Sequence, residues 1–475
     1  MRAATPDAVE LMHRGILAFS RMEKAGILID QNYLTKAIDR SGKKINRMQR
    51  QLKEDPIFRT WQKRFGHKTN LDSREQLEKI IFDEMGYKRT GRKTDKGADK
   101  ADASAFEFVK LPFIDLYFKC ARTIKARNTW LLGIQRELVN GRIHPFQDLH
   151  TAITYRPSTS RPNCSNWPVR DPIQASLVRR CIIAPPGFRV GEIDISGNEV
   201  CWSVVYHQDP QMRKYLEDPE SDMHRDLAMK CFMLGREDVE KNEHDPKKLK
   251  RYCAKNKFVF PEFYGSYFMD CSKNLWDSID LYDLRTKEGT PIKKHLKRKG
   301  IKELGETNSN WDTGRIETQK GTFVEHIRQV EKWFWEDLYQ VYHQWKQDWY
   351  AKYCKRGWFP FKTGFVSRGL YNWKQVCNSP IQGSAFHGLL WSLIELQDWM
   401  IRKKLKSHIV NEIYDSMLIY LHHKEVDYVL EKAQHIMTKE VIKHWPFINV
   451  KLTVEAEVAP KGGSWNDKQP VRIAA

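Results

Sequence analysis

A lone acidic residue, Asp194, stands in RVGEIDISGNE between Arg189 and Glu199. Val190 and Ile193 carry a strand pattern there, and Ser196, Gly197 and Asn198 break it into a turn and a helix start. A carboxylate at a strand end can reach a ligand held above a sheet, whereas one in mid-strand on a buried face needs a partner. Arg179, Arg180 and the turn Ala184-Pro185-Pro186-Gly187 lead into this strand, so basic residues approach an acidic centre. That combination suits a metal handling phosphate. Taken alone, a strand-end aspartate is more often solvated than ligating. A second acid is placed the same way: in IVNEIYDSMLIYL, two apolar runs flank Tyr414-Asp415-Ser416 and predict a β-hairpin with Asp415 at its tip. Together Asp194 and Asp415 could hold divalent metals at one sheet edge.

The third informative stretch is KRYCAKNKFVFPEFYG, Lys250 to Gly265. On a helix Arg251 and Lys255 lie one turn apart on one face and can grip a phosphate chain. Phe260 and Tyr264, again four apart, form an aromatic platform beside the cations. Cations that hold phosphates next to rings that stack a base describe a nucleotide site. The plainer reading is a basic helix face running into an apolar helix end. Pro261 clashes with the carbonyl four residues back, so the helix either ends there or bulges to admit the ring.

The elements that position these residues follow from pattern. Leu17 to Asp30 reads as an amphipathic helix ended by Gly26, then a short extended piece. Tyr33 to Lys53 is a charged helix, and Asn70-Leu71-Asp72-Ser73 caps another whose apolar face includes Leu77, Ile80, Ile81 and Met85. KRTGRKTDKGADK, from Lys88 to Lys100, reads as an exposed basic loop, either a linker or a phosphate-backbone contact. Helices resume from Phe106 to Leu138; Asn140-Gly141-Arg142 then turns into the strand-like IHPFQDLHTAITYR. Thr154-Tyr155-Arg156 with PNCSNWPVR, Pro162 to Arg170, is too polar for a core and reads as an ordered loop along a ligand. Val200 to Tyr206 should be helical, and Asp222-Met223-His224 opens the next helix. Leu284 to Lys320, with KKHLKRKG near its centre, reads as a surface insertion. One long helix is expected over Phe323 to Tyr353, with its stripe Ile327, Val330, Phe334, Leu338, Val341, Trp345 and Trp349 in a core. Asn378-Ser379-Pro380-Ile381-Gln382-Gly383 should start the buried helix HGLLWSLIEL.

Composition bounds the partners. A chain of 475 residues exceeds one compact core and implies several subdomains. A net charge of +20 and a pI near 9.4 point to a polyanionic partner, nucleic acid or an acidic membrane surface. No apolar run approaches a membrane span, and the first residues, with Asp7 and Glu10, lack a signal-peptide core. A cytoplasmic, unexported protein is expected. Nine scattered cysteines without a CxxC pair argue against zinc and against a disulfide framework.

In this order, the stretches resemble DNA polymerase family A over essentially the whole chain. DxSxxE at Asp194 to Glu199, preceded by RRxxIAPxG at Arg179 to Gly187, is similar to the family's first motif. RxxxK with FxxxYG at Arg251 to Gly265 is similar to the second, and the Asp415 hairpin to the third. Around these, MEKAGILID, NLDSREQLEKIIF, TYR with PNCSNWPVR, and NSPIQGSA fall where the family places thumb, primer-contacting and template-contacting segments. The resemblance implies an α+β right-hand fold with an antiparallel palm sheet and mostly helical fingers and thumb. Residues 1–30 would pack on the palm, 31–142 form the thumb, 143–214 and 374–475 the palm, and 215–373 the fingers, with an insertion at 284–320. It implies template-directed addition of deoxynucleotides to a primer 3′ end, with Asp194 and Asp415 holding two Mg²⁺ ions, for which Mn²⁺ can substitute. Arg251 and Lys255 would neutralise the triphosphate. Phe260 and Tyr264 would pack on sugar and base, with Glu199 obstructing a ribose 2′ hydroxyl. Arg156 and Gln382 would probe the minor groove at the primer terminus, where every base pair offers acceptors. Asn378 and Arg170 are further candidate DNA contacts.

Departures from the family pattern accompany the match. The hairpin reads Tyr-Asp-Ser where the family has His-Asp-Glu, removing one carboxylate; Cys201 replaces an Arg. One extra residue between Lys255 and Tyr264 coincides with Pro261, which a π-bulge could absorb, and leaves open whether Lys255, Asn256 or Lys257 faces the triphosphate. These features suit a divergent viral or phage branch acting in host cytoplasm. The resemblance implies a monomer with primer-template DNA and deoxynucleoside triphosphates as partners. With so little sequence before the thumb-side motif, no exonuclease is expected in the chain, and proofreading would fall to a separate protein. The alternatives are a primer-template-binding scaffold, an RNA polymerase and a reverse transcriptase.

Overall fold

A computed structural model describes residues 4–87, 89, 103–106, 109–168, 171–239, 249–309 and 316–473. The chain is α+β and divides into two units. The first takes 1–9, 197–388 and 440–452; the second takes 10–196, 389–439 and 453–475. Among the described residues no helix is long and apolar enough to cross a membrane.

The second unit is built on a five-stranded antiparallel sheet. Its strands are β1 (Phe188–Ile195), β2 (His408–Ile413), β3 (Ser416–His422), β4 (Val454–Val458) and β5 (Gln469–Val471), in the order β2-β3-β1-β4-β5. Alternation explains the placement. Gly191, Ile193 and Ile195 turn to one buried face of β1, whereas Glu192 and Asp194 share the other face with buried Val190 and are only partly covered. Gly191 lies against the side chain of Leu421, whose Cδ1 would have to move to admit a Cβ. The hairpin expected around Asp415 forms as β2, a Tyr414-Asp415 turn and β3. Helices cover this sheet and extend into a second apolar cluster that includes Trp61, Leu77, Ile80 and Phe113. In that cluster Ser73 caps the helix Arg74–Glu78 as expected. Its side chain accepts from Gln76 N, and the Gln76 amide oxygen takes the Trp61 indole N–H at 2.9 Å. The extended reading of 143–156 holds for Ile143, which ends the short strand Arg142–Ile143, and for Phe146–Asp148, after which the chain makes turns. All of the basic loop 88–100 except Arg89 lies outside the described residues.

The first unit is helical, and two of its helices depart from expectation. Phe323–Trp333 and Gln340–Arg356 are separate helices, because a π turn at Phe334–Leu338 adds a residue and Tyr339 leaves helical geometry (φ −120°, ψ 46°). The added residue rotates the apolar stripe: Tyr339 and Tyr342 are buried while Val341 is 44% exposed. The buried Asp209 carboxylate accepts from Tyr342 N at 3.1 Å and so caps the new start. The second departure is Pro380, which lies inside the helix Trp373–Arg402 and not at its beginning. Proline cannot bond the carbonyl four residues back, and that carbonyl, Val376 O, accepts the Trp349 indole N–H at 3.1 Å instead. The insertion proves to be folded: Arg285 bridges to Pro291, Ile292–Arg298 is a helix anchored by buried Ile292 and Leu296, and Thr307–Ser309 pairs with Ile316–Thr318.

Behind these helices His207 is 3% exposed and stacked on Tyr342 with ring centroids 4.0 Å apart. Its Nδ1 accepts the Asp209 backbone N–H, which fixes the neutral tautomer with Nε2 toward Ser203. Burial, then the nearby Lys346 ammonium, push its pKa down to about 3. Below about pH 6.5 the unfolded chain therefore takes up a proton that the folded chain refuses. Stability should fall with pH from there toward 3, by on the order of 1.4 kcal/mol per unit from this group. Urea unfolding at stepped pH should show a shallower acid slope for His207→Asn than for wild type; parallel slopes would contradict the assignment.

Candidate active site

In the second unit, β1 and β3 set the acidic residues by register. Asp194 pairs with Ser416 on one side and Glu455 on the other, and Glu192 is opposite Glu457. Directly paired side chains share a face, so Asp194, Glu192, Glu455 and Glu457 converge on one side of the sheet. The backbone N–H of Ile195 donates to Asp415 O at 3.2 Å, fastening the hairpin tip beside the end of β1. Both aspartates line an open cleft of about 400 Å³ with Glu192, Glu455, Arg179 and Lys468. Tyr414, 47% exposed at the tip, has φ 60°, a region that bulky side chains adopt only under strain.

The charges on this face do not balance. Lys468 is ion-paired to Glu192 and Glu457, and Glu192 also accepts from Trp465 Nε1 (2.7 Å) and Ser416 Oγ (3.0 Å). Burial raises the Glu192 pKa, but Lys468 and these donors outweigh it and leave the group below its ordinary value. Asp194 has no such compensation. Burial, then the charges of Asp415, Glu192 and Glu455, push it up to about 7 against the pull of Lys468. An excess of hard carboxylate oxygens at an open cleft fits a divalent cation. Among the described residues no group of three or more His, Cys, Asp or Glu is arranged to hold an ion unaided. A bound cation would draw its remaining oxygens from water or a phosphate, as Mg²⁺ does. At the hairpin position where the family has a carboxylate, the hydroxyl of Ser416 donates to Glu192 of β1.

The first unit carries the other constellation. The run 249–263 is helical with a π turn at Lys255–Val259, which absorbs the extra residue ahead of Pro261. The wide turn brings Lys255 Nζ within 5.1 Å of the Phe260 ring centroid, while Asn256 folds back to donate to Tyr252 O. Arg251 is drawn to Asp222, the cap of the helix Met223–Phe232, at 2.5 Å. Burial raises the Asp222 pKa, but Arg251 and the Arg225 backbone N–H more than offset that and lower it.

Tyr264 ends the run, 44% exposed, and its hydroxyl donates to Glu199 Oε2 at 2.7 Å. Glu199 lies in the first turn of Asn198–His207, a helix entered through Gly197 at φ 61°, a backbone conformation that suits glycine. A cleft of about 50 Å³ lies among Glu199, Phe260, Tyr264, Tyr342, Asn378 and Gln382, with room for part of a nucleotide and not the whole. Neither Arg251 nor Lys255 lines it. Asn378 Nδ2 donates to Tyr264 O at 3.4 Å. The sequence-predicted Glu199, Phe260, Tyr264, Asn378 and Gln382 are thus gathered in one place. Arg156 belongs to the second unit near Glu412, and Arg170 lies outside the described residues.

Two supporting groups escaped sequence reasoning. Lys346 is 4% exposed; its ammonium donates to Phe263 O at 3.0 Å and lies 4.2 Å from the Trp335 ring centroid, closing the helix end just before Tyr264. Burial pulls its pKa down to about 8. Glu412 is 1% exposed on β2; burial above all pushes it up to about 8, against the pull of Arg156 and of the Tyr414 backbone N–H. The only signal for Glu412 was a charge inside an apolar run, and for Lys346 there was none.

The sequence pattern of DNA polymerase family A matches residues 36–275, about half of the chain. The thermostable DNA polymerase I of Thermus thermophilus is 28% identical over 225 residues, 46% of this chain and 26% of that protein. DNA polymerase I of Pseudomonas aeruginosa is 23% identical over 458 residues, 94% of this chain and 43% of that protein. The DNA polymerase of Escherichia phage T5 is 27% identical over 235 residues, 47% of this chain and 27% of that protein. The chain therefore spans less than half the length of these relatives. Among solved structures, the POL domain of Pol1 from M. smegmatis, in complex with DNA primer-template and dNTP, superposes with a TM-score of 0.72. That likeness covers 96% of this chain and 70% of the other at 19% identity, and is one of fold.

Proposed function

The chain belongs to DNA polymerase family A, and from that premise we propose that it extends a primer 3′ end on a DNA template with deoxynucleoside triphosphates. The observation that carries the reading is that Asp194 and Asp415 line one cleft at a sheet end, amid carboxylates that Lys468 does not neutralise. In this reading Asp194 and Asp415 hold the divalent cations, Mg²⁺ by the hardness of the donors. When bound, those cations lower the pKa of the primer hydroxyl and stabilise the departing pyrophosphate in an in-line displacement.

The remaining tasks belong to the chain's own groups. Lys255, beside Phe260, neutralises the triphosphate, a role its position favours over Asn256 or Lys257. Arg251 joins it by exchanging Asp222 for phosphate. Phe260 and Tyr264 pack on the incoming sugar and base, and Glu199 closes the space where a ribose would carry its 2′ hydroxyl. Arg156 and Gln382 meet the primer-template minor groove, and Asn378 is a further DNA contact. Residues 31–142 act as thumb, 215–373 as fingers, and 143–214 with 374–475 as palm.

The test is primer extension on a short DNA template with Mg²⁺ and four deoxynucleotides. Template-coded extension is expected; a folded protein that binds the primer-template without extending it would overturn the reading in favour of a scaffold.

A further inference from the structure

The insertion presents a face that the proposed reaction does not use. Between Glu288 and Glu303 the sequence has no acid and six Lys or Arg, all from Lys293 onward. A solvated helix ordinarily offsets such a run with acids one turn away; here only Lys293 is matched, by Asp280. Buried Ile292, Leu296 and Ile301 fix the segment's inner side. Lys294, Lys297 and Arg298, spaced three and four apart, therefore share an outer face, continued by Lys299 and Lys302. All five side chains are exposed, and among the described residues none makes an ion pair or hydrogen bond.

The platform is firmly held. His295 Nε2 meets Met233 O at 2.9 Å, Lys287 N donates to Asp238, and Lys250 Nζ donates to Arg285 O at 2.8 Å. That last bond ties the base of the insertion to the helix that carries Arg251 and Lys255. On the same helix Tyr252 is 47% exposed, its ring set edge-on to Tyr282 at 6.1 Å, just before the insertion begins. Unpaired cations on a rigid support, with an exposed aromatic at their base, are the chemistry of single-stranded nucleic acid binding, in which phosphates follow the charges and a base stacks on the ring. A duplex would use the charges and leave the ring idle.

Resting on the polymerase reading, we propose that the basic face of residues 293–302, with Tyr252, binds the phosphate backbone of unpaired template strand. The test compares a primer-template bearing a short 5′ template overhang with the same duplex bearing a long one, over a series of salt concentrations. Wild type should bind the long overhang more tightly, on the order of tenfold at low salt. A variant with Lys294, Lys297, Arg298, Lys299 and Lys302 all changed to Gln should lose that preference. Its salt slope on the long overhang should shrink by about 0.7 for each lost contact, with short-overhang binding and extension kept. The matching Lys→Arg variant, retaining Arg298, should behave as wild type. Tyr252→Ala should weaken long-overhang binding by roughly tenfold without changing the salt slope. An undiminished preference in the Gln variant would overturn the proposal, as would equal losses on both overhangs, which would indicate duplex binding. Wild type that neither binds nor extends either substrate would instead remove the polymerase reading on which this one stands.

Discussion

Asp194→Ala and Asp415→Ala should each lower the rate of primer extension by roughly 10³-fold or more, with primer-template binding retained. The magnitude follows from the task assigned to them. Holding the cations that offset charge in a phosphoryl-transfer transition state is worth several kcal/mol, and each 1.4 kcal/mol is a factor of ten in rate. Neither side chain is a packing element: both are partly exposed at an open cleft, and the backbone bond from Ile195 N–H to Asp415 O survives either change. Loss of activity should therefore come without loss of fold.

The same geometry predicts an opposite effect on stability. Asp194 is opposite Glu455 and shares its face with Glu192, so without metal its charge is repelled, which is why its pKa is driven up to about 7. Asp194→Asn removes that repulsion and should melt at a higher temperature than wild type in the presence of a chelator. Adding Mg²⁺ or Mn²⁺ should then raise the melting temperature of wild type and leave the variant nearly unchanged. Equal shifts in both proteins would show that the cation binds elsewhere. A variant less stable than wild type in chelator would show Asp194 to be a structural acid.

What the sequence disclosed was local, and what it hid was long-range. The strand end at Asp194, the hairpin at Asp415, the Ser73 cap and the bulge before Pro261 are written in neighbouring residues, through alternation, turn chemistry and the missing proline N–H. The break at Tyr339 was hidden because a π turn keeps apolar residues three and four apart in sequence while rotating them in space, so Tyr342 replaced Val341 in the core. Pro380 mid-helix was hidden because the donor that satisfies Val376 O comes from Trp349, 27 positions earlier. Glu192 passed as an ordinary strand residue because Trp465 and Lys468, which hold it, lie over 270 positions away.

Glu199→Ala should erode discrimination against ribonucleotides, raising their kcat/KM relative to deoxynucleotides by roughly 10²-fold. The carboxylate is fixed from two directions. It sits in the first turn of Asn198–His207, where a helix N-terminus favours negative charge, and it accepts the Tyr264 hydroxyl at 2.7 Å. Alanine opens the cleft bounded by Glu199 and Tyr264, so an added 2′ hydroxyl no longer meets an obstruction. Tyr264→Phe keeps the ring and removes only the bond; Glu199 then gains freedom without vanishing, and a smaller erosion is expected. In the double variant the Tyr264→Phe effect should disappear, because it acts through Glu199 alone. Single-nucleotide incorporation with matched ribo- and deoxynucleotides measures all four proteins. Discrimination unchanged in Glu199→Ala would refute the steric role. Strictly additive effects would mean that Tyr264 contacts the sugar by itself, with its bond to Glu199 incidental.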